Sequence, residues 1–173
     1  MMISTVDQVK NDSSVSVLLL RLQKKEILVP KAMVADVLSW KDNFYSPAIT
    51  NRAKWKLGEY LWDEWKIPLV CFEGLIDANF QREEIIKRKI VVIRSFQKGF
   101  ENDHYAIECR GFPKPLILSE ESLGNLHVED NQGWIAHSIS IGSRVLDVPD
   151  FSTLQSAVWS MDESLHPEIS RSA

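Results

Sequence analysis

The sequence predicts a mainly β protein, a barrel or a sandwich of short strands. Eight to ten β-rich runs follow one another along the 173 residues, separated by polar turns, and two short helices at most are indicated. The clearest strand is the run YAIECRGF (105–112), in which Tyr105, Ile107 and Cys109 occupy every second position, the spacing of a half-buried strand. There is no internal repeat and no low-complexity tract.

Composition limits the function classes. The chain has 45% hydrophobic and 25% charged residues, ordinary for a globular protein, and its length fits one domain or two closely packed lobes. A net charge of −4 argues against a nucleic-acid binder, which should carry a basic stripe. No secretory signal and no apolar run of about 20 residues is visible, so no direct membrane insertion is expected. Cys71 and Cys109 lie in strand-like contexts and are interpreted as reduced core residues of a cytoplasmic protein.

The first third of the chain predicts a loose arm followed by strands. Residues 1–14 are polar and form the predicted arm. Residues 15–30 predict a hairpin around Gln23-Lys24-Lys25, ended by a proline. The run KAMVADVLSW (31–40) fits either a helical turn or an extended strand, and KDNFYSPAITNR (41–52) has the composition of a loop.

Three of the six tryptophans fall in the segment WKLGEYLWDEW (55–65), directly before the strand candidate KIPLVCF (66–72). Pro68 cannot donate to a sheet ladder, so it must lie at a bulge, at an edge or at the start of that strand. A structural role is favoured for Trp55 and Trp65. For Trp62, which adjoins two acidic residues, core and interface are left open.

The remaining elements follow in order along the chain. The predictions are a short charged helix over 81–88, a strand over 89–96, a turn over 97–104, a strand over 105–112, a strand or turn over 115–123, a hairpin over 133–148 and a closing helix over 151–158. The hairpin turns at Gly142-Ser143 and Asp150 is the predicted N-cap of the helix. A polar tail is expected after it.

No catalytic or metal-binding pattern is present in the sequence. His104, His127, His137 and His166 form no zinc-ligand spacing, and nucleophile-elbow, phosphate-loop and dinucleotide motifs are absent. The adjacent acidic doublets are better explained by solvation, because neighbours on a strand point to opposite faces. No enzyme activity, cofactor or metal is therefore expected, and the surplus of large aromatic side chains favours a protein that binds other proteins.

The order of these features resembles the CheW family of bacterial chemotaxis adaptors over residues 15–157. The family's strand Y-G-I-x-(I/V)-x-x-V-x-E-(V/I) is similar to ILVPKAMVADV (27–37). Its Pro-(aromatic)-x-x-Gly segment and its (V/I)-x-P-(V/I)-(V/I) strand are similar to WKLGEYLWDEWKIPLVCF (55–72). The runs KIVVIRSF, YAIECRGF and SRVLDVPDF take the places of its later strands. Within the family, the tryptophan-rich segment 55–72 is most similar to ChpC-type adaptors of type IV pilus systems.

The resemblance implies two packed five-stranded SH3-like β-barrels with short helices, a domain over 15–157 and a tail over 158–173. It implies a non-catalytic adaptor that couples methyl-accepting receptors to a CheA-type histidine kinase. Such an adaptor binds the cytoplasmic tip of the receptor and the regulatory domain of the kinase. Control of twitching or other motility, and a cytoplasmic location at membrane-associated receptor arrays, follow as expectations. The alternatives are a diverged CheW-like domain with a different partner and a small β-barrel ligand binder.

The resemblance also marks a receptor-binding groove. Its members, with Trp62 added from the sequence itself, are Val34, Asp36, Val37, Gly58, Trp62 and Asp63. Asp63-Glu64 stands where the family has Arg-Gly, which reverses a charge and removes a residue that adopts positive φ without strain. The turn is then rebuilt, a different receptor is bound, or one contact of the adaptor has been lost. The residues that face the kinase are not assigned.

Overall fold

The computed structural model describes residues 14–49, 53–95, 104–123, 126–127 and 133–164. Over these ranges the protein is mainly β, as predicted, but it has twelve strands and three α-helices, more than the eight to ten strands and two short helices expected. The strands are β1 (Val15–Arg21), β2 (Glu26–Pro30), β3 (Val34–Ser39), β4 (Tyr45–Pro47), β5 (Lys56–Trp62), β6 (Trp65–Val70), β7 (Arg88–Arg94), β8 (His104–Arg110), β9 (Lys114–Leu118), β10 (Leu126–His127), β11 (Ile135–Ile141) and β12 (Arg144–Pro149). The α-helices are α1 (Phe72–Ile76), α2 (Glu120–Leu123) and α3 (Phe151–Ser164).

The strands form two lobes. The first lobe has the strand order β10-β11-β12-β2-β1-β9, and the second has the order β3-β7-β8-β6-β5-β4. The first lobe therefore joins strands from the two ends of the domain, while the second is built from its middle. Each sheet has six strands where the resemblance implies five, and each contains one very short strand, β10 in the first and β4 in the second.

The second lobe closes on itself. Strand β3 lies at one edge of its sheet and β5 lies next to the other edge, yet the two are in contact. The Tyr60 hydroxyl of β5 donates to the Ser39 carbonyl of β3 at 3.2 Å and accepts from the Lys41 amide at 3.1 Å. These contacts give the sheet the barrel form that removes free edges.

A shared core joins the lobes. Strand β7 alternates its side chains between two environments, as period two requires. Ile90 and Val92 face the interior of the second lobe, whereas Val91 and Ile93 face the shared core. Leu20, Ile27 and Val29 of the first lobe reach the same core, as do Leu154, Val158 and Trp159 of α3. A separate small core fills the first lobe.

A buried carboxylate links the lobes a second time. Glu73 of α1 is only 5% exposed and accepts hydrogen bonds from three consecutive amides of the β1–β2 turn. The donors are the backbone N–H groups of Gln23 (2.6 Å), Lys24 (2.7 Å) and Lys25 (3.2 Å). Bonds to a charged acceptor are the stronger kind, so a side chain of the second lobe fixes a turn of the first.

Several element predictions are confirmed. The β1–β2 hairpin turns through Leu22–Lys25, and the β11–β12 hairpin turns through Gly142-Ser143. Asp150 caps α3, because its Oδ1 accepts from the Thr153 amide at 2.9 Å. Residues 31–40 contain both alternatives, a 3-10 turn at Lys31–Met33 and then β3. Pro68 lies inside β6, an interior strand between β5 and β8, so it is neither at a sheet edge nor at the strand start. It is tolerated there because β6 pairs with β8 only at Leu69 and Val70.

Three predictions need correction. The helix predicted over 81–88 is wrong: this segment is irregular, and β7 begins at Arg88. So short a helix gains little in isolation, whereas Arg82 gains a two-pronged ion pair with buried Glu108 at 2.7 and 2.9 Å. Residues 41–52 are not only loop, since they contain a 3-10 turn and β4. Helix α3 continues to Ser164 and so enters the segment predicted as tail.

Residues 115–123, predicted as strand or turn, contain most of β9 and the short helix α2.

Two further predictions fall largely outside the described residues. The turn predicted over 97–104 lies outside the described residues except for His104, the first residue of β8. The arm predicted over 1–14 lies outside them except for its last residue.

Candidate functional site

Asp36 and Trp62, two of the predicted receptor-binding residues, are in direct contact. The Trp62 indole Nε1 donates to Asp36 Oδ2 at 3.1 Å. Trp62 ends β5 and Asp36 lies near the start of β3, so closure of the second lobe is what brings them together across 26 positions of sequence. An exposed carboxylate and a half-buried indole therefore form one polar and aromatic contact at this end of the lobe.

His104 completes this contact from a third strand. Its ring centroid lies 4.7 Å from that of Trp62, with the planes tilted by 48°. His104 begins β8 beside the end of β7, with Arg94 as its pair, so it belongs to the same end of the lobe. Trp62 also packs against the interior cluster of the lobe. Trp62 is half-buried, so the core role left open for it is confirmed in part, whereas its interface role stays a prediction.

The turn beside Trp62 has an unusual backbone. Asp63 and Glu64 both have positive φ, 44° and 68°, and they connect the paired residues Trp62 and Trp65. Two central residues with positive φ are typical of the tightest hairpins, where asparagine, aspartate and glycine are preferred. Glu64 therefore adopts the conformation despite its Cβ, at a cost of about 1–2 kcal/mol. The turn presents two exposed carboxylates.

Trp65 contradicts the structural role that the sequence favoured for it. Its side chain is 53% exposed, because β6 begins outside the core and Trp65 pairs with Trp62 at the tip of the hairpin. Trp55, by contrast, packs against the shared core, as predicted. The spacing of Trp62 and Trp65 around a two-residue turn was the signal for this, and it is readable only when the turn is recognised.

The other predicted receptor-binding residues are placed differently. Val34 packs against the shared core, and Val37 is half-buried beside Asp36, whose Oδ1 accepts from the Val37 amide at 2.8 Å. Gly58 has φ of 142° and lies opposite Pro47, where β4 pairs with β5. A Cβ at this position would lie 2.1 Å from the Ser46 carbonyl oxygen. Gly58 is thus required by strand packing and is not brought to Trp62.

We call the surface formed by these side chains the Trp62 surface. Its members are Asp36, Trp62, Asp63, Glu64, Trp65 and His104. Exposed aromatic rings beside charged groups are suited to protein recognition, where tryptophan is the most favoured anchor. Across the described ranges, no group of three or more His, Cys, Asp or Glu side chains is arranged to hold a metal ion.

At the opposite end of the second lobe, a buried ion pair packs against an aromatic ring. The Arg88 guanidinium lies 3.5 Å from the centroid of the Trp40 ring and contacts the buried carboxylate of Glu108. Burial lowers the pKa of Arg88, whereas the hydrogen bond to Glu108 raises the pKa of Arg82. Both arginines stay charged, and together they neutralise Glu108.

Comparisons with known proteins show the fold. No protein-family model matches the chain, and no curated protein matches it by sequence. The solved structure of the scaffolding protein TtCheW from Thermoanaerobacter tengcongensis superposes with a TM-score of 0.60 at 9% identity, covering 79% of this chain and 88% of that one. The fold is therefore that of CheW, with two SH3-like barrel lobes, as the resemblance implied. None of the helices in the described ranges is long and apolar enough to span a bilayer.

Proposed function

We propose that this protein is a non-catalytic chemosensory adaptor that couples methyl-accepting receptors to a CheA-type histidine kinase. The observation that carries the proposal is the CheW fold, which matches a scaffolding protein over 79% of the chain. The adaptor performs no chemistry. It binds a receptor tip and the regulatory domain of the kinase at the same time, and so couples the conformation of the receptor to the activity of the kinase.

Receptor binding is assigned to the Trp62 surface together with Val34 and Val37. The cytoplasmic tip of a receptor is a helical hairpin, and such a helix docks its apolar face against exposed apolar anchors. Trp62 and Trp65 supply two such anchors, and Asp36 orients the first of them through its indole N–H. Gly58 contributes by allowing β4 and β5 to pack, which supports the hairpin that carries both tryptophans.

The acidic turn favours a receptor tip that carries a basic residue at the point of contact. Asp63 and Glu64 are both exposed, so they present negative charge where the resemblance implies a cation. A basic residue on the helix that docks there would complement them, whereas an acidic residue would be repelled. The variant Asp63→Arg should therefore lose affinity for the cognate tip. An unchanged or higher affinity would place the turn outside the contact.

We propose that the adaptor acts in a chemosensory system that controls twitching motility. The tryptophan-rich segment 55–72, which is similar to ChpC-type adaptors, supports this choice. The protein would then act in the cytoplasm and be recruited to membrane-associated receptor arrays. The second candidate, a diverged CheW-like domain with another partner, is favoured only by the charge reversal at Asp63-Glu64.

Calorimetric titration tests the proposal. The protein is titrated with the regulatory domain of the CheA-type kinase from the same organism, and separately with a receptor-tip fragment. Binding to both is expected. Binding to the kinase domain alone would indicate a diverged array component, and binding to neither would overturn the adaptor function while leaving the fold intact.

The variant Trp62→Ala tests the receptor site. Loss of an interface tryptophan costs about 2 kcal/mol or more, so affinity for the receptor tip should fall by at least about thirtyfold. Affinity for the kinase domain should stay the same. Ile86→Ser is the matched control, since Ile86 is exposed and lies away from this end of the lobe. Loss of cooperative thermal unfolding in Trp62→Ala would instead make Trp62 a core residue.

A further inference from the structure

A basic groove lies at the other end of the second lobe from the Trp62 surface. It has a volume of about 490 Å³, and Arg21, Lys87, Lys89, Arg110, Phe112 and Lys114 line it. These residues come from the end of β1, the start of β7 and the connection between β8 and β9. The seven residues of β7 separate this end from His104, a distance of about 20 Å.

The groove is positive in a protein whose net charge is −4. Its lining contains five cations and no carboxylate. Arg21 has a weak contact with Glu26 at 3.7 Å, and Arg110 donates to the Gln23 carbonyl at 3.0 Å. Within the described part of the chain, no carboxylate forms an ion pair with Lys87, Lys89 or Lys114. Lys89 Nζ donates to the Ser39 hydroxyl at 2.8 Å, but this partner is neutral. The positive charges of the three lysines are therefore not neutralised by a described carboxylate.

An exposed aromatic ring borders these cations. Phe112 is 72% exposed, and Lys89 Nζ lies 4.0 Å from its ring centroid. The bend that carries the ring is fixed, because the Gly111 amide donates to the Lys87 carbonyl at 2.8 Å. Gly111 has φ of 68°, which glycine adopts without strain. The ring is thus held at the surface by its backbone, and the stems of the lysines extend the apolar area around it.

We propose that this groove binds an acidic peptide segment of a partner protein, with an apolar side chain among its carboxylates. The carboxylates would pair with Lys87, Lys89 and Lys114, and the apolar side chain would pack on Phe112. A free phosphate would leave the aromatic ring unused. A nucleic acid requires an extended basic stripe, which a net charge of −4 makes unexpected, and the oligonucleotide competition below separates it from a peptide. The inference does not rest on the adaptor function, since it uses other residues at another end of the lobe.

Fluorescence anisotropy with a labelled peptide of sequence Glu-Glu-Phe-Glu-Glu-Leu-Glu tests the proposal on the full chain. The double variant Lys87→Glu/Lys114→Glu should weaken binding by about tenfold or more, because repulsion replaces attraction at two points. Phe112→Ser should weaken binding of this peptide several-fold. The variant should also bind a control peptide, in which serine replaces Phe and Leu, as well as it binds the original peptide. Lys54→Glu is the matched control, an exposed lysine outside the groove. Hydrogen exchange should show protection of 87–89 and 110–114 on binding.

Three results would overturn the proposal. The first is an affinity that is the same in the double variant as in the Lys54→Glu control. The second is displacement of the peptide by inorganic phosphate or by a thymidine oligonucleotide as readily as by unlabelled peptide, which would make the groove a general anion site. The third is protection confined to other segments. Circular dichroism of each variant separates loss of binding from loss of fold.

Discussion

Asp63 and Glu64 form a two-residue turn although neither residue is glycine. Both take positive φ, and they connect the paired residues Trp62 and Trp65. Both side chains are exposed, so the tip of the hairpin carries two negative charges. The three outcomes drawn from the sequence, a rebuilt turn, a different receptor and a lost contact, stay predictions.

Gly58 gives a prediction about packing. Gly58→Ala places a Cβ 2.1 Å from the Ser46 carbonyl oxygen at a φ that only glycine adopts readily, so β4 must move. The free energy of unfolding should fall by about 3 kcal/mol or more, measured by urea denaturation. Gly142→Ala is the control: its φ is also positive, but nothing lies within 4 Å, so a loss of about 1 kcal/mol is expected. Equal losses would remove the packing argument.

The two buried cysteines predict that the free energy of unfolding falls at alkaline pH. Burial is the main cause that raises the pKa of Cys71 from 9.0 to about 11 and that of Cys109 to about 12. Well below pH 9 both thiols are protonated in the folded and in the unfolded chain, so this contribution to stability is fully present. Between pH 9 and these raised values the unfolded chain loses protons first, and stability should fall by up to about 1.4 kcal/mol per pH unit for each cysteine.

Urea denaturation at several pH values, repeated with Cys71→Ala/Cys109→Ala, measures this effect. The double variant should show a smaller fall above pH 9. Tyr105 retains its own contribution, since burial also raises the pKa of its hydroxyl. A slope that the double variant leaves unchanged would show that the thiols are not responsible. A native-state thiol titration should find both cysteines unreactive, because the folded chain buries them.

At the level of elements, the β1–β2 hairpin depends on a helix of the other lobe. The sequence lacks the glycine expected in its turn, and the structure supplies Glu73 as an acceptor for the three turn amides. The same turn is held by Gln23, whose side chain donates to the Gln81 carbonyl at 3.0 Å and accepts from the Glu83 amide at 2.9 Å. A turn without favourable local chemistry is thus stabilised by tertiary contacts.

Glu73→Gln tests this link between the lobes. The amide group keeps one acceptor oxygen where the carboxylate has two, and it brings an NH₂ group against N–H donors. The free energy of unfolding should fall by about 2–4 kcal/mol, because buried amides lose a charged acceptor. Glu83→Gln is the control, since the Glu83 side chain is exposed and its part in the contact is made by the backbone. Similar stabilities of the two variants would contradict the link.

The whole molecule is organised around the shared core, to which both lobes and α3 contribute. Val158 and Trp159 belong to this core, and Trp159 is only 7% exposed. The domain boundary proposed at residue 157 would remove both side chains. The two lobes should unfold in one transition, because neither buries its side of this core alone.

Truncation after residue 157 tests the boundary. Loss of Trp159 alone should cost about 3–5 kcal/mol, as removal of a large buried aromatic does, and the melting temperature should fall accordingly. Truncation after residue 164 keeps the whole of α3 and should leave the melting temperature close to that of the full chain. Two separate thermal transitions in either form would show that the lobes fold independently.

The sequence by itself determined the mainly β class, both hairpins, the capped closing helix and the burial of both cysteines. These follow from local patterns: period-two alternation, turn residues and an N-cap aspartate. Through the order of its motifs it also indicated the CheW fold, which the structural comparison supports. Four of the predicted site residues, Asp36, Val37, Trp62 and Asp63, lie in or beside the Trp62 surface.

Only the tertiary structure decided which of these residues meet and which side chains are exposed. Asp36 and Trp62 are joined by closure of the second lobe, Trp65 is exposed by its place at a hairpin tip, and Glu73 is buried under a turn of the other lobe. The basic groove likewise gathers lysines from separate strands. Contacts between residues distant in sequence depend on how the sheets close and pack, and no local pattern of residues records that.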